Sequence, residues 1–201
     1  MRAPLIHLLV VLSPILAGAE EGDRTRAERL DRGEVLISPE KVDGSDVPKV
    51  TAEAVVDAPA ERLWAIIADC GRYAKTMPRI AASKLEKREG NVVHCRVTAD
   101  MPFPLSDLEA VTRGVERIDP GRQWAREWTL VRGDYNVNSG RWRLTPWRGD
   151  PARTLVRYEV HADPKLPVPR AIIEAAQESA LPDLFKRLGE GAKVRPGRRA
   201  P

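Results

Sequence analysis

Lys49-Val50-Thr51-Ala52-Glu53-Ala54-Val55-Val56-Asp57 runs directly into Ala58-Pro59-Ala60-Glu61-Arg62-Leu63-Trp64. The first half alternates. Val50, Ala52, Ala54 and Val56 fall on one side, and Thr51, Glu53, Val55 and Asp57 on the other, which predicts a strand with one small apolar face. The second half changes period. Asp57 stands near an N-cap and Pro59 suits a first helical turn, so a helix is expected to start here. Leu63, Ile66 and Ile67 share one side of it, with Trp64 beside them, and Gly71 is its expected end. Arg72 to Met77 read as a second short helix, stopped by Pro78.

Downstream the period returns to two. Ala81 to Lys87 and Val92 to Ala99 flank the turn Glu89-Gly90-Asn91. In the second of these strands Val93, Cys95, Val97 and Ala99 share a face, opposite His94 and Arg96. Met101-Pro102-Phe103-Pro104 interrupts the pattern, and Leu105 to Ile118 resumes it. Asp119-Pro120-Gly121, Arg132-Gly133-Asp134 and Arg148-Gly149-Asp150-Pro151 then separate strands at Gln123 to Val131, Asn136 to Trp147 and Thr154 to Ala162. Six strands on short turns make an antiparallel meander. The two Arg-Gly-Asp triplets are read as turn chemistry rather than adhesion motifs, because Gly-Asp is expected at such turns.

The last element is one long helix, about residues 168–188. Ile172, Ala176, Ala180, Leu184 and Leu188 recur at helical spacing, with Ile173, Gln177, Leu181 and Phe185 alongside. Pro182 lies inside it and is expected to kink it. A curved antiparallel sheet needs its apolar face covered, and this helix alone is long enough. Small residues at that interface (Ala52, Ala54, Ala99, Ala176, Ala180) leave an inner space. The fold class is α+β.

Upstream, residues 20–47 are charged, with a short helix expected to end at Gly33, a brief strand at Glu34 to Ser38 and a turn at Asp43-Gly44-Ser45. Residues 1–19 read as a cleavable signal peptide: Arg2, an apolar run from Leu5 to Leu16, then Ala17-Gly18-Ala19 before Glu20. The run is short for a membrane span; an uncleaved anchor is the alternative. The expected address is periplasmic or secreted. Basic residues outnumber acidic ones by 33 to 29. The excess sits in residues 190–201, read as a basic disordered tail suited to transient contact with an anionic membrane surface. The body is near neutral and has no basic stripe with interleaved aromatics, which argues against nucleic acid.

The order of these pieces is similar to the START-like superfamily, also called the helix-grip or polyketide cyclase/dehydrase and lipid-transport group, which includes coenzyme Q-binding proteins. Val56 to Trp64 resembles its first strand and helix, and Ala68-Asp69-Cys70-Gly71-Arg72-Tyr73 with Met77-Pro78 its second helix and stop. Met101-Pro102-Phe103-Pro104-Leu105-Ser106-Asp107 resembles its tryptophan-proline to serine-aspartate stretch, with Met101 where an aromatic is common. Gly140-Arg141-Trp142-Arg143-Leu144, Tyr158 to Pro164 and Leu181-Pro182 complete the resemblance over residues 48–189. It implies a helix-grip fold with a deep hydrophobic cavity, binding lipids, sterols, isoprenoids or polyketides, with a minority of members catalysing cyclisation or hydrolysis. Fold alone does not choose among these.

The expected cavity set is Met101, Phe103, Arg126, Trp128, Trp142, Tyr158, Ile172, Ala176 and Leu184. The large aromatics either line a cavity or fill the core. Arg126 shares a face with Trp124 and Trp128; inward it would hold a ligand carboxylate or phosphate, and outward, the favoured reading, it would be a surface residue. Met101 to Leu105 and the helix around Pro182 are candidate gates. His94 and His161 fall on polar phases and are expected to be exposed. No metal set, cofactor motif or catalytic triad stands out, and Asp107 and Glu109 are carboxylates of undetermined phase. Cys70 and Cys95 are a candidate disulfide in an oxidising compartment; a buried free thiol at Cys95 is the alternative. The expected function is exported carriage or sequestration of one hydrophobic or amphipathic small molecule. A cyclase or hydrolase in the same cavity and a ligand-free interaction module of an envelope complex are the rivals. Oligomeric state is left open.

Overall fold

The computed structural model describes residues 14–166 and 168–193. Residues 1–13, which hold most of the expected signal peptide, residues 194–201 of the expected tail and the side chain of Ala176 lie outside the described residues. Helix α1 (Pro14–Asp31) precedes β1 (Leu36–Val42) and β2 (Ser45–Val56). Next come α2 (Ala60–Ala68), a 3-10 turn at Cys70–Arg72 and α3 (Tyr73–Thr76). Six strands follow: β3 (Ile80–Glu89), β4 (Val92–Ala99), β5 (Leu108–Asp119), β6 (Gln123–Gly133), β7 (Tyr135–Trp147) and β8 (Asp150–Pro164). Helix α4 (Arg170–Lys193) ends the described chain. No helix among the described residues is long and apolar enough to cross a membrane.

All eight strands form one antiparallel sheet in the order β1-β2-β8-β7-β6-β5-β4-β3. The sheet is curved and open, and α4 lies against its concave face. The decisive stretch behaves as its alternation predicts: Val50, Ala52, Ala54 and Val56 are all buried. They pack in one core with Leu63, Trp64 and Ile67 of α2 and Leu184, Phe185 and Leu188 of α4. The α4 side chains in this core run from Leu181 to Ala192, so its C-terminal half anchors the helix.

Several boundaries differ from expectation. Strand β2 starts at Ser45 rather than Lys49, because β1 is longer than foreseen and pairs with it from Val42↔Ser45 onward. Gly44, at φ +77°, makes that hairpin turn. Helix α2 is capped by Pro59 without a side-chain hydrogen bond; Asp57 instead pairs with Arg153 at 3.1 Å. Helix α4 continues to Lys193, so the first residues of the expected tail are helical. His161 is buried, not exposed: the longer hairpin brings Ser45 Oγ within 3.3 Å of its Nε2. His94 is half-buried.

Cys70 and Cys95 are disulfide-bonded, with 6.2 Å between their Cα atoms. The bond ties the 3-10 turn to β4, and both sulfurs are buried beside Val93 and Tyr73. Closing the loop between them is worth about 3 kcal/mol on chain-entropy grounds. Replacing both cysteines by serine is expected to lower the unfolding free energy by about that amount in urea titrations. An unchanged midpoint would rule out a stabilising role for the bond.

Candidate functional site

Strand register builds the site. One row across the concave face reads Ala52, Tyr158, Trp142, Arg126 and Glu116, each directly opposite the next on β2, β8, β7, β6 and β5. The adjacent row reads Val50, Val160, Gly140, Trp128, Gly114 and Val93. Two glycines flank Trp128 for a steric reason. A Cβ on Gly140 would run into the Trp128 ring, and one on Gly114 would crowd the Arg126 stem. The large ring therefore lies over its neighbour and stacks with Tyr158, centroids 5.8 Å apart, while Trp142 lies 4.2 Å from the same tyrosine.

Arg126 faces inward, which corrects the favoured outward reading. It is 4% exposed and Glu116 is 7% exposed. Its Nε donates to Glu116 Oε1 at 3.1 Å, and its Nη2 donates to the same oxygen. Nη1 donates to the Ile67 carbonyl at 2.8 Å and to Tyr73 Oη at 2.9 Å. Nη2 also donates to the Ala68 carbonyl at 3.0 Å. A guanidinium has five N–H groups, and these contacts engage all of them. The end of α2 thus hands its orphan carbonyls to a side chain on the sheet. Arg88 completes the cluster with a 2.8 Å pair to the second Glu116 oxygen. Burial alone would raise the Glu116 carboxyl, but hydrogen bonds from Arg88 and Arg126 outweigh it and hold the group below its usual range.

Between this wall and α4 lie two adjoining chambers. The inner one, about 280 Å³, is lined by Tyr73, Val93, Cys95, Arg126, Trp128, Asn138, Trp142 and Leu184 among others. The outer one, about 630 Å³, is lined by Val47, Pro48, Met101, Pro102, Val168 and Ile172 among others. Ala99, Tyr135, Tyr158, Val160, Ala162, Ala180 and Leu181 line both, so the chambers meet there. The outer volume falls within the range of small-molecule sites and the inner one just short of it, and the lining is mostly apolar, as such sites are.

Of the sequence-predicted residues, Arg126, Trp128, Trp142 and Leu184 stand in the inner chamber, Met101 and Ile172 in the outer, and Tyr158 between them. Phe103 does not join them: it is 96% exposed. Asp107 accepts the Met101 backbone N–H, and Glu109 pairs with Arg96 at 2.7 Å, so both carboxylates serve local structure. Reasoning from periodicity missed Tyr135 and Asn138, which sit at the bulged start of β7 where register shifts. Among the described residues no cluster of metal-ligating side chains occurs.

All three tyrosines of the chain border this region. Burial pushes the Tyr135 phenol up to about 12, and raises Tyr73 and Tyr158 as well. A folded pKa above the unfolded value near 10 means the fold favours the protonated phenol. That stability is complete below pH of about 10 and is lost as pH rises through the folded values. The native protein is therefore expected to develop no tyrosinate absorbance near pH 10. A native titration with its midpoint there would contradict the burial described.

The family model for polyketide cyclase/dehydrase and lipid transport matches residues 56–188. No curated protein matches the sequence. Among solved structures, a STAR-related lipid transfer protein from Xanthomonas axonopodis superposes with a TM-score of 0.66 at 20% identity, covering 80% of this chain and 94% of that one. Human StAR-related lipid transfer protein 5 gives 0.66 at 13% identity, covering 90% and 98%. An aromatase/cyclase from Streptomyces sp. R1128 gives 0.55 at 21% identity, covering 71% and 92%. At such identities these likenesses speak to the fold, a curved open sheet against a long C-terminal helix. The family match runs from the last residue of β2 to Leu188 in α4, so it takes in strands β3–β8 and most of α4, and the chain belongs to the polyketide cyclase/dehydrase and lipid transport family.

Proposed function

We propose that this protein binds one hydrophobic or amphipathic small molecule in the adjoining chambers and carries or sequesters it, without covalent chemistry. The observation that carries the reading is the pair of apolar chambers between sheet and α4, with volumes of about 280 and 630 Å³. Burial of apolar ligand surface there contributes about 25 cal/mol per Å², before the costs of association. The lipid-transfer function in the names of two similar structures agrees with it. A cyclase or hydrolase needs an acid, base or electrophile free to act. Of the charged side chains in the described lining, Arg126 is engaged by Glu116 behind it, and Arg79 and Asp100 are engaged with each other, which favours carriage.

Met101 and Pro102 line the outer chamber, and the next residue, Phe103, is exposed. Transient contact of this segment with a membrane surface is part of the proposal, and the exposed Phe103 ring next to the lining is its support. Export belongs to the same reading. Its support is the pattern from Arg2 to Ala19, together with a bonded Cys70–Cys95 pair of the kind oxidising compartments sustain.

The test is titration of the purified protein with a polarity-sensitive naphthalene dye, followed by displacement with long-chain alcohols. One saturable site, with Trp emission changing in step, is the expected result. Unsaturable, weak partition would refute the reading.

A further inference from the structure

The inner wall carries polar groups that the fold leaves unused. Tyr135 is 7% exposed and lines both chambers. Tyr158 lines both as well, wedged between the Trp128 and Trp142 rings. Among the described residues neither phenol oxygen has a hydrogen-bond partner, in contrast to Tyr73, whose hydroxyl donates to the Ile67 carbonyl at 2.5 Å and accepts from Arg126. Neither phenol oxygen is among the buried atoms left without a partner, so each opens onto free space, and the chambers that both residues line supply it; the hydroxyls are free to donate to a ligand there.

Asn138 adds a third group. Its Oδ1 accepts the Trp128 indole N–H at 3.1 Å. An indole nitrogen only donates, so this contact fixes the amide orientation and leaves the NH2 group without a protein partner in the inner lining. Two phenols where the chambers meet and one amide in the inner chamber thus present donors without a protein partner.

Charge is treated differently. The cations in the described lining are Arg126 and Arg79, and each already faces a carboxylate, Glu116 and Asp100 respectively. Nothing there is left to neutralise an anion. A buried carboxylate without a counter-charge is strongly disfavoured.

We infer that Tyr135 and Tyr158, where the chambers meet, and Asn138, in the inner chamber, form a polar subsite selecting a ligand whose apolar body carries an uncharged oxygen acceptor, such as an alcohol or ketone, over the corresponding carboxylate or bare hydrocarbon. The inference rests on the binding reading above and specifies its ligand class. A site equipped with hydrogen-bond donors rejects the analogue lacking the acceptor, because its buried donors are then left unpaired. The hydroxyl oxygen is held at the junction, and the hydrocarbon extends into the outer chamber.

The experiment compares dodecane, 1-dodecanol and dodecanoate at neutral pH by displacement of the naphthalene dye. It uses the wild-type chain and the double variant Tyr135→Phe/Tyr158→Phe. The wild type is expected to hold the alcohol about tenfold more tightly than either of the others. The variant should bind dodecane at least as well as the wild type, lose the preference for the alcohol, and melt no lower, since it removes only unpartnered hydroxyls. Tightest binding of dodecanoate, or an alcohol preference unchanged in the variant, would overturn the inference while leaving the carrier reading intact. Failure of all three probes to displace the dye from folded protein would refute the carrier reading, and the subsite with it.

Discussion

Arg126→Met is expected to lower the unfolding free energy by about 3–5 kcal/mol, the range for removing one partner of a buried ion pair. The cost has two sources. Glu116, 7% exposed, keeps only Arg88 as a counter-charge. The Ile67 and Ala68 carbonyls at the end of α2 and the Tyr73 hydroxyl all lose a donor. The double variant Arg126→Met/Glu116→Leu should recover much of the loss, because no buried charge is left unpaired: Arg88 loses its carboxylate but is 37% exposed and stays solvated. Urea titration of both single variants and the double variant measures the coupling directly. The acid limb carries a second signature. Glu116 titrates below the usual carboxylate range in the fold, so its contribution is complete above that range and is lost as pH falls through the lowered value. In Arg126→Met that acid-dependent loss should shrink. Additive single-variant effects, with no recovery in the double variant, would show that the pair does not act as a unit.

The second large effect concerns ligand uptake. Ala162 on β8 borders both chambers where they meet. Ala162→Trp puts an indole into that junction and is expected to weaken uptake of a long-chain alcohol by about a hundredfold or more. That is ~2.8 kcal/mol at 1.4 kcal/mol per tenfold. Stability should change by no more than the ~1–3 kcal/mol of ordinary overpacking, since the new ring enters space that is open. Ala180→Trp fills the same junction from α4 and checks that the effect follows volume rather than strand geometry. Full uptake by both folded variants would place the ligand elsewhere.

What could be read in advance follows from how local each feature is. The alternation from Val50 to Val56 is a local property, and it correctly marked the face that α4 covers. The six later strands were legible for the same reason, with Gly121 and Gly149 both at positive φ in their turns. The side on which Arg126 points was not local. It depends on β6 meeting β5 in the register that sets Arg126 opposite Glu116, and on α2 ending above it. An arginine between two tryptophans is ordinary on either face, and only the buried acid ten residues earlier decides. Glu116 was the available clue, since it occupies the same phase of β5 as Ala110 and Gly114. Phe103 failed for the opposite reason: a loop of prolines has no period, so its direction is set entirely by tertiary context. The buried His161 follows from β1, whose length depends on pairing with β2 rather than on its own weak pattern.

The central claim is that the adjoining chambers hold an apolar molecule. Native mass spectrometry after incubation with vesicles of mixed membrane lipids tests it most directly, comparing the wild-type chain with Ala162→Trp. The wild type should acquire one small apolar molecule per chain and the variant essentially none. A wild-type chain that stays at its bare mass, or a variant that loads equally well, would contradict the claim.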